Sequence, residues 1–497
     1  MIEFAAILSG MRLPTKTPVD LATLERRSVL RALATLPFAA TTLPALIACA
    51  QVPQRPPAFT LRPAPARQDL GLPVDQPTEV WGYNGSSPGP VLRFRQGETV
   101  DIDVLNELPE ATTVHWHGVR VPIAMDGVPH VSQAPIEPGQ SFRYRLPLRD
   151  AGTYWYHPHI RGFEQVTRGL YGALIVEAAT APAVDEDWVW VIADWLLDRA
   201  GGMRTDFEDP RDMSHAGRIG NTVTVNGKLA MFRDADPQPL EVKAGTRIRL
   251  RLLNASSART FTLAFAGAAP LIVALDGHPI EPHPVPDGGV AIGAAQRVDL
   301  MLDMPAGNVT IRDRFDERRE YVMRTLIGQG TAAARPDFRG LASNALPEPD
   351  LDRAERHEII LDGGARSRMK SARVHGKDIP VDQLVREHGM AWAMNGIAAN
   401  DHMHEPLITV RQGTSNIIRI DNRTVWSHPM HLHGHAFRVL SVNGRPTRYR
   451  EWRDTVIVDP NGAVEFAFVA DNPGDWMFHC HILQHQQGGM MGSLRVL

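Results

Sequence analysis

The feature that most constrains this chain is a backbone pattern written three times. Asn84-Gly85 leads to Gly97 and Asn106, Asn226-Gly227 to Gly245 and Asn254, and Asn395-Gly396 to Gly413 and Asn422, with nine residues from the later glycine to the final asparagine in each copy. Inside these intervals lie Thr99-Val100-Asp101-Ile102-Asp103-Val104, Thr246-Arg247-Ile248-Arg249-Leu250 and Asn416-Ile417-Ile418-Arg419-Ile420. Each alternates apolar with polar residues, the signature of a half-buried strand. With 41 glycines, 39 prolines and few helix signals, the repeat predicts an all-β chain of β-sandwich domains in tandem. A length of 497 residues suits about three domains of roughly 150 residues each. We place them at 55–178, 186–330 and 350–497.

Two of the three copies carry histidines in matched register. Nine residues beyond Asn106 stands His115-Trp116-His117-Gly118, and nine beyond Asn422 stands His431-Leu432-His433-Gly434. The middle copy has Leu263 and Phe265 there. A second match follows a glycine by five residues: Gly152 precedes His157-Pro158-His159, and Gly474 precedes His479-Cys480-His481, whereas Gly307 precedes Arg312 and Arg314. Residues i and i+2 share one face of a strand, so each His-x-His pair aims both imidazoles at one place. Eight convergent imidazoles exceed what a single zinc ion needs and suit a cluster of copper ions at the interface of domains one and three. Domain two keeps the scaffold without the ligands.

Cys480 faces away from His479 and His481 on the same strand. A thiolate with two imidazoles and a weak thioether is the ligand set of an electron-transfer copper. Cys480, His485, Met490 and a histidine from elsewhere would supply it, so one strand serves two metal sites.

Bulk composition narrows the partners. The 52 basic and 56 acidic residues nearly balance, so neither nucleic acid nor a polybasic membrane patch is indicated. Residues 1–50 read as an export signal: Glu25-Arg26-Arg27-Ser28-Val29-Leu30 resembles a twin-arginine motif, and an apolar stretch broken by Pro37 and Pro44 follows. Leu46-Ile47-Ala48-Cys49 resembles a lipobox, in which Cys49 would carry a lipid anchor; the alternative is cleavage after Ala48 or Ala50, leaving a soluble periplasmic protein. Cys49 and Cys480 are the two cysteines, and neither reads as half of a structural disulfide. The protein is expected to be a monomer.

Over roughly residues 55 to 497 the chain resembles the three-domain multicopper oxidases, the family of laccases and copper-efflux oxidases. The motifs His115-Trp116-His117-Gly118, His157-Pro158-His159, His428-Pro429-Met430-His431-Leu432-His433 and His479-Cys480-His481 with His485 and Met490 carry the resemblance. It implies three cupredoxin-like Greek-key β-sandwiches and four copper ions. His428, Cys480 and His485 would bind the type 1 copper, with Met490 axial. His115 and His431 would hold the type 2 copper, and His117, His157, His159, His433, His479 and His481 the type 3 pair. The implied reaction is one-electron oxidation of a donor docked at the edge of a type 1 histidine, coupled to four-electron reduction of O2 to water.

Several positions depart from the family or stand beside it. Asp126, in Met125-Asp126-Gly127, matches an acid placed by the cluster for proton delivery, although a turn aspartate before glycine is the plain alternative. Gln484 and Gln486 replace acids common in bacterial relatives, and an amide supplies no proton. Met491 is expected to pack near the site and His435 to be a loop histidine. Asp454 is read either as a carboxylate orienting a ligand imidazole or as a strand-edge salt bridge. The preferred substrates are phenols or aromatic amines. A periplasmic metallo-oxidase for cuprous or ferrous ion is the alternative, with Asp401-His402-Met403-His404-Glu405 as the segment able to gather a metal. A storage or scaffold protein would have lost ligands, and a nitrite reductase does not fit the three-domain layout.

Overall fold

The computed structural model describes residues 57–74, 76–315, 320–332, 335–400 and 405–497. The export signal, Cys49 and Asp401 to His404 lie outside the described residues. Arg55–Leu497 pack as one compact unit. Each sequence repeat builds two sheets facing one another around its own apolar core, so the fold is three β-sandwiches.

The elements that position the site are β1 (Thr99–Leu105), β2 (His115–His117) and β3 (Gly152–His157) in the first sandwich, then β4 (Arg247–Asn254) and β5 (Arg297–Asp303) in the second. The third contributes β6 (Ser415–Asn422), β7 (His428–Leu432), β8 (Thr455–Val458) and β9 (Gly474–Cys480). Two short helices matter: α1 (Pro210–Ser214) from the second sandwich and α2 (Leu483–Gln487) from the third. Among the described residues no helix is long and apolar enough to cross a membrane.

The repeat has a backbone cause. Asn84, Asn226 and Asn395 have φ of 55°, 51° and 50°, and the glycines after them 83°, 75° and 72°, the two left-handed residues of a tight hairpin turn. Each asparagine also pairs with the chain it turns against: Oδ1 accepts from the amide of Arg62, Val191 or Ile360, and Nδ2 donates to the carbonyl of Thr60, Val189 or Glu358. The closing asparagines behave alike. Asn106, Asn254 and Asn422 are buried, and each Nδ2 donates both to a carbonyl of the loop that follows, Glu110, Arg259 or Trp426, and to a more distant one, Ile136, Ile292 or Val458. Each Oδ1 accepts from the amide two residues on, Leu108, Ser256 or Thr424. They satisfy buried backbone groups where β1, β4 and β6 end. These three strands also share a parallel partner, Phe59–Leu61, Glu186–Trp195 and Glu355–Gly363 respectively, so topology repeats along with sequence.

Candidate metal centre

The alternation of β-strand side chains places the ligands. In the first sandwich β2 pairs with β3, His115 opposite His157 and His117 opposite Trp155. In the third, β7 pairs with β9, His431 opposite His479 and Met430 opposite Cys480. The two ladders meet face to face. His115 stacks on His433 with ring centroids 3.8 Å apart, and His117 on His431 at 3.7 Å.

Among the described residues, overlapping trios have ligand atoms within 4.8 Å of one another, including His115, His157 and His159; His115, His431 and His433; His117, His157 and His481; and His159, His433 and His479. All eight predicted cluster histidines are therefore gathered in one buried place. On the other side of β9, His428, Cys480 and His485 form a separate trio. The Cys480 Sγ lies 3.5 Å from His428 Nδ1 and 3.7 Å from His485 Nδ1, and those two nitrogens are 3.1 Å apart. Met490 shares the core around Cys480, and its carbonyl accepts the Cys480 amide at 3.1 Å. Met491 packs instead with Val128 and Met477, in keeping with a packing role.

Hydrogen bonds select the nitrogen each imidazole offers. Nδ1 of His115 donates to the Asp126 carbonyl and Nδ1 of His431 to the Asp454 carbonyl, both at 2.8 Å. His117 is held through Nε2 by Asp454 Oδ1 at 3.1 Å, and His433 through Nδ1 by Asp126 Oδ2 at 2.8 Å. The opposite nitrogens of His115, His117 and His431 are buried without a partner, as are Nε2 of His157 and His159 and both nitrogens of His481. Leaving so many buried polar atoms unpaired is costly in a folded chain, and a metal cluster removes the cost.

Burial pushes His117, His157, His159, His428, His433, His479 and His481 well below the ordinary imidazole range, and His485 to about 3. Neutral imidazole is the form that binds metal. Burial raises the Cys480 thiol, so metal binding there must displace its proton. The donor set fits copper: nitrogen donors for the cluster, thiolate with imidazoles for the single site.

Asp454 holds a cluster imidazole, and its ion pair is buried rather than at a strand edge. It is fully buried, holds His117, and is clamped by Arg297, whose Nη1 and Nη2 donate to its two oxygens at 2.9 and 2.5 Å. The Arg297 guanidinium and the His117 ring outweigh burial and keep its carboxyl well below the usual range. Sequence reasoning missed Arg297, and also Gln296, which donates to the Thr455 carbonyl at 2.9 Å; neither has a local signal. His435 lies in the turn after β7 but is buried, its ring against Trp476 and Phe468. Gln484 accepts the Arg218 amide at 3.1 Å. Gln486 and His159 line a cavity of about 340 Å³ that also includes Met477 and Met491.

His485 is fully buried, and its Nε2 donates to the His215 carbonyl at 2.6 Å.

Three β-sandwiches with a buried thiol and imidazole trio and a histidine cluster joined through one strand define a copper oxidoreductase. Family models described as multicopper oxidase match residues 68–181, 186–331 and 377–497. The chain is 32% identical to the multicopper oxidase MmcO of Mycobacterium tuberculosis, over 88% of this chain and 86% of that one. It is 26% identical to Laccase-1 of Cryptococcus neoformans, over 84% and 77%. The solved structure of a Campylobacter jejuni multicopper oxidase, described as a metallo-oxidase, superposes with a TM-score of 0.72 at 27% identity, covering 88% of this chain and 90% of that one. The chain belongs to the multicopper oxidases, its sandwiches are cupredoxin-like, and it is an enzyme.

Proposed function

We propose that this protein is a laccase-like oxidase that removes single electrons from phenols or aromatic amines and passes them to O2. The observation that carries the reading is the continuity of the chain at the end of β9, where Cys480 of the thiol trio is bonded directly to His479 and His481 of the histidine cluster. The ligand sets support four copper ions: His428, Cys480, His485 and axial Met490 for type 1; His115 and His431 for type 2; His117, His157, His159, His433, His479 and His481 for the type 3 pair. Bound copper would supply one-electron acceptance at the thiolate site and multi-electron reduction of O2 to water at the cluster.

The residues do the rest. Asp126 and Asp454 fix ring orientation, and β9 joins the two sites by covalent bonds. Asp126, its carboxylate against His433, is the group we assign to proton delivery. Trp392, itself fully buried, packs on both His485 and His428, with ring centroids 4.1 and 5.2 Å apart, and shields both imidazoles. Domains at 55–178, 186–330 and 350–497, a monomeric state, and a twin-arginine signal directing the protein to the periplasm, with or without a lipid on Cys49, complete the proposal.

The test is oxygen uptake by copper-loaded mature protein, offered a methoxyphenol or, separately, ferrous or cuprous ion, with Cys480→Ser as the inert control. Fast phenol turnover with weak metal oxidation supports the reading. The reverse result replaces it with a metallo-oxidase.

A further inference from the structure

The remote nitrogens of both type 1 imidazoles are already occupied by protein. His485 Nε2 donates to the His215 carbonyl at 2.6 Å, and His428 Nε2 bonds Thr424 Oγ1 at 2.8 Å. The carbonyl belongs to the stretch around α1, which the copper-free second sandwich lays across the site. This stretch is pinned at several points. Trp392 Nε1 donates to the Met213 carbonyl at 2.7 Å, and the Ala365 amide to the Ser214 carbonyl at 2.7 Å. Buried Arg218 sends Nη1 and Nη2 to the carbonyls of Asp206 and Arg204 at 2.9 and 2.6 Å, and stacks on Phe207. At Gly217, φ is 81° and a Cβ would lie 2.5 Å from Ile482 and 2.6 Å from Ala258, so the contact with the third sandwich is close enough to require glycine.

At the outer side of this cap the rings of His215 and Trp426, both half-buried residues, lie 5.5 Å apart at 56°, with His215 Nδ1 against the Ser214 hydroxyl at 3.0 Å. His215 is thus both the outer surface and, through its own carbonyl, the hydrogen-bond partner of His485. We propose that reducing substrates dock on the His215 and Trp426 rings rather than on His485. We further propose that this platform selects small planar aromatic donors, which pass an electron inward through the His215 carbonyl and the His485 N–H. The donor phenol loses one electron to the oxidase and its hydroxyl proton to solvent, leaving a phenoxyl radical. The inference rests on the phenol-oxidase reading above and names the binding surface for it.

His215→Ala removes the ring but keeps the carbonyl on His485, and Trp426→Leu removes the neighbouring aromatic face. Both are compared with the parent as copper-loaded enzymes with an intact thiolate-to-copper absorption band. Binding of 1,2-dimethoxybenzene to the resting enzyme is followed by saturation-transfer NMR, and KM and kcat are measured for a methoxyphenol. Loss of one aromatic contact should weaken binding and raise KM roughly two- to tenfold with kcat nearly kept. Unchanged binding and KM in both variants would overturn the docking surface while leaving the oxidase reading intact. A parent that oxidises ferrous or cuprous ion but not the phenol removes the reading itself, and this surface with it.

Discussion

Asp126 and Asp454 serve opposite halves of the cluster in the same way. Asp126 uses its carbonyl to hold His115 of its own sandwich and its carboxylate to hold His433 of the third, at 2.8 Å each. Asp454 uses its carbonyl to hold His431 of its own sandwich at 2.8 Å and its carboxylate to hold His117 of the first at 3.1 Å. Each half of the cluster is therefore oriented by the other. The symmetry ends at the guanidinium of Arg297, which bonds both oxygens of Asp454 and reaches the Thr153 carbonyl at 3.0 Å. The second sandwich holds no ligand of the predicted set, yet it fixes one.

That asymmetry separates two substitutions. Asp454→Asn strips a fully buried arginine of its nearer counter-charge, leaving Asp276 at 3.7 Å, and should cost up to about 3–5 kcal/mol of stability, with loss of cluster copper. Asp126→Asn keeps an acceptor for His433 but removes the carboxylate that faces His433 and His115, and should leave the fold nearly intact while slowing reoxidation by O2 about 10- to 100-fold. Denaturant unfolding and stopped-flow reoxidation of the reduced enzyme measure the two effects. Equal losses of stability would contradict the clamp by Arg297.

Gly118 closes the His115-Trp116-His117-Gly118 motif for a steric reason. Its φ is 83°, and a Cβ would lie 2.5 Å from both Arg297 Nη2 and Asp454 Oδ2. Gly118→Ala is expected to push the ion pair apart, lowering thermal stability and the copper-to-protein ratio, while the thiolate-to-copper band persists. Metal analysis beside the visible spectrum tests this, and full copper content would refute it.

Most of the site was legible in sequence because its ligands are placed by local rules. A His-x-His pair on a strand points both rings one way, and each Asn-Gly pair sets its own turn through its left-handed φ. The missed residues act over distance. His117 and Asp454 are 337 positions apart, Arg297 and Asp454 157, and His485 and the His215 carbonyl 270. No periodicity marks such partners, and a backbone carbonyl leaves no trace in residue type. Asp454 stayed ambiguous for the same reason, since its two roles depend on partners from two other sandwiches.

Gln486 stands where an acid would face the cavity beside His159, and its Oε1 is buried without a partner. Gln486→Glu should introduce a proton donor there and speed reoxidation at neutral pH, general acids contributing about 10²–10⁴-fold where they act. The pH profile of reoxidation should gain a limb absent from the parent. Identical profiles would show that Asp126 and solvent already meet the proton demand.

His278 gives a pH dependence independent of copper. It is buried, and Asn344, in the stretch joining the second and third sandwiches, donates to its Nδ1 at 3.2 Å while also bonding the Ala151 backbone. Burial lowers its pKa to about 4 from 6.5. Between those values the unfolded chain binds the proton and the folded chain does not. Stability from this group is therefore present above about pH 6.5 and falls as pH drops toward about 4. Each pKa unit separating the two states is worth about 1.4 kcal/mol. His278→Asn keeps an acceptor for Asn344 and removes the titration. Unfolding midpoints of the copper-loaded proteins at pH 7 and pH 5 should converge in the variant relative to the parent, and parallel losses in both would assign the acid sensitivity to other groups.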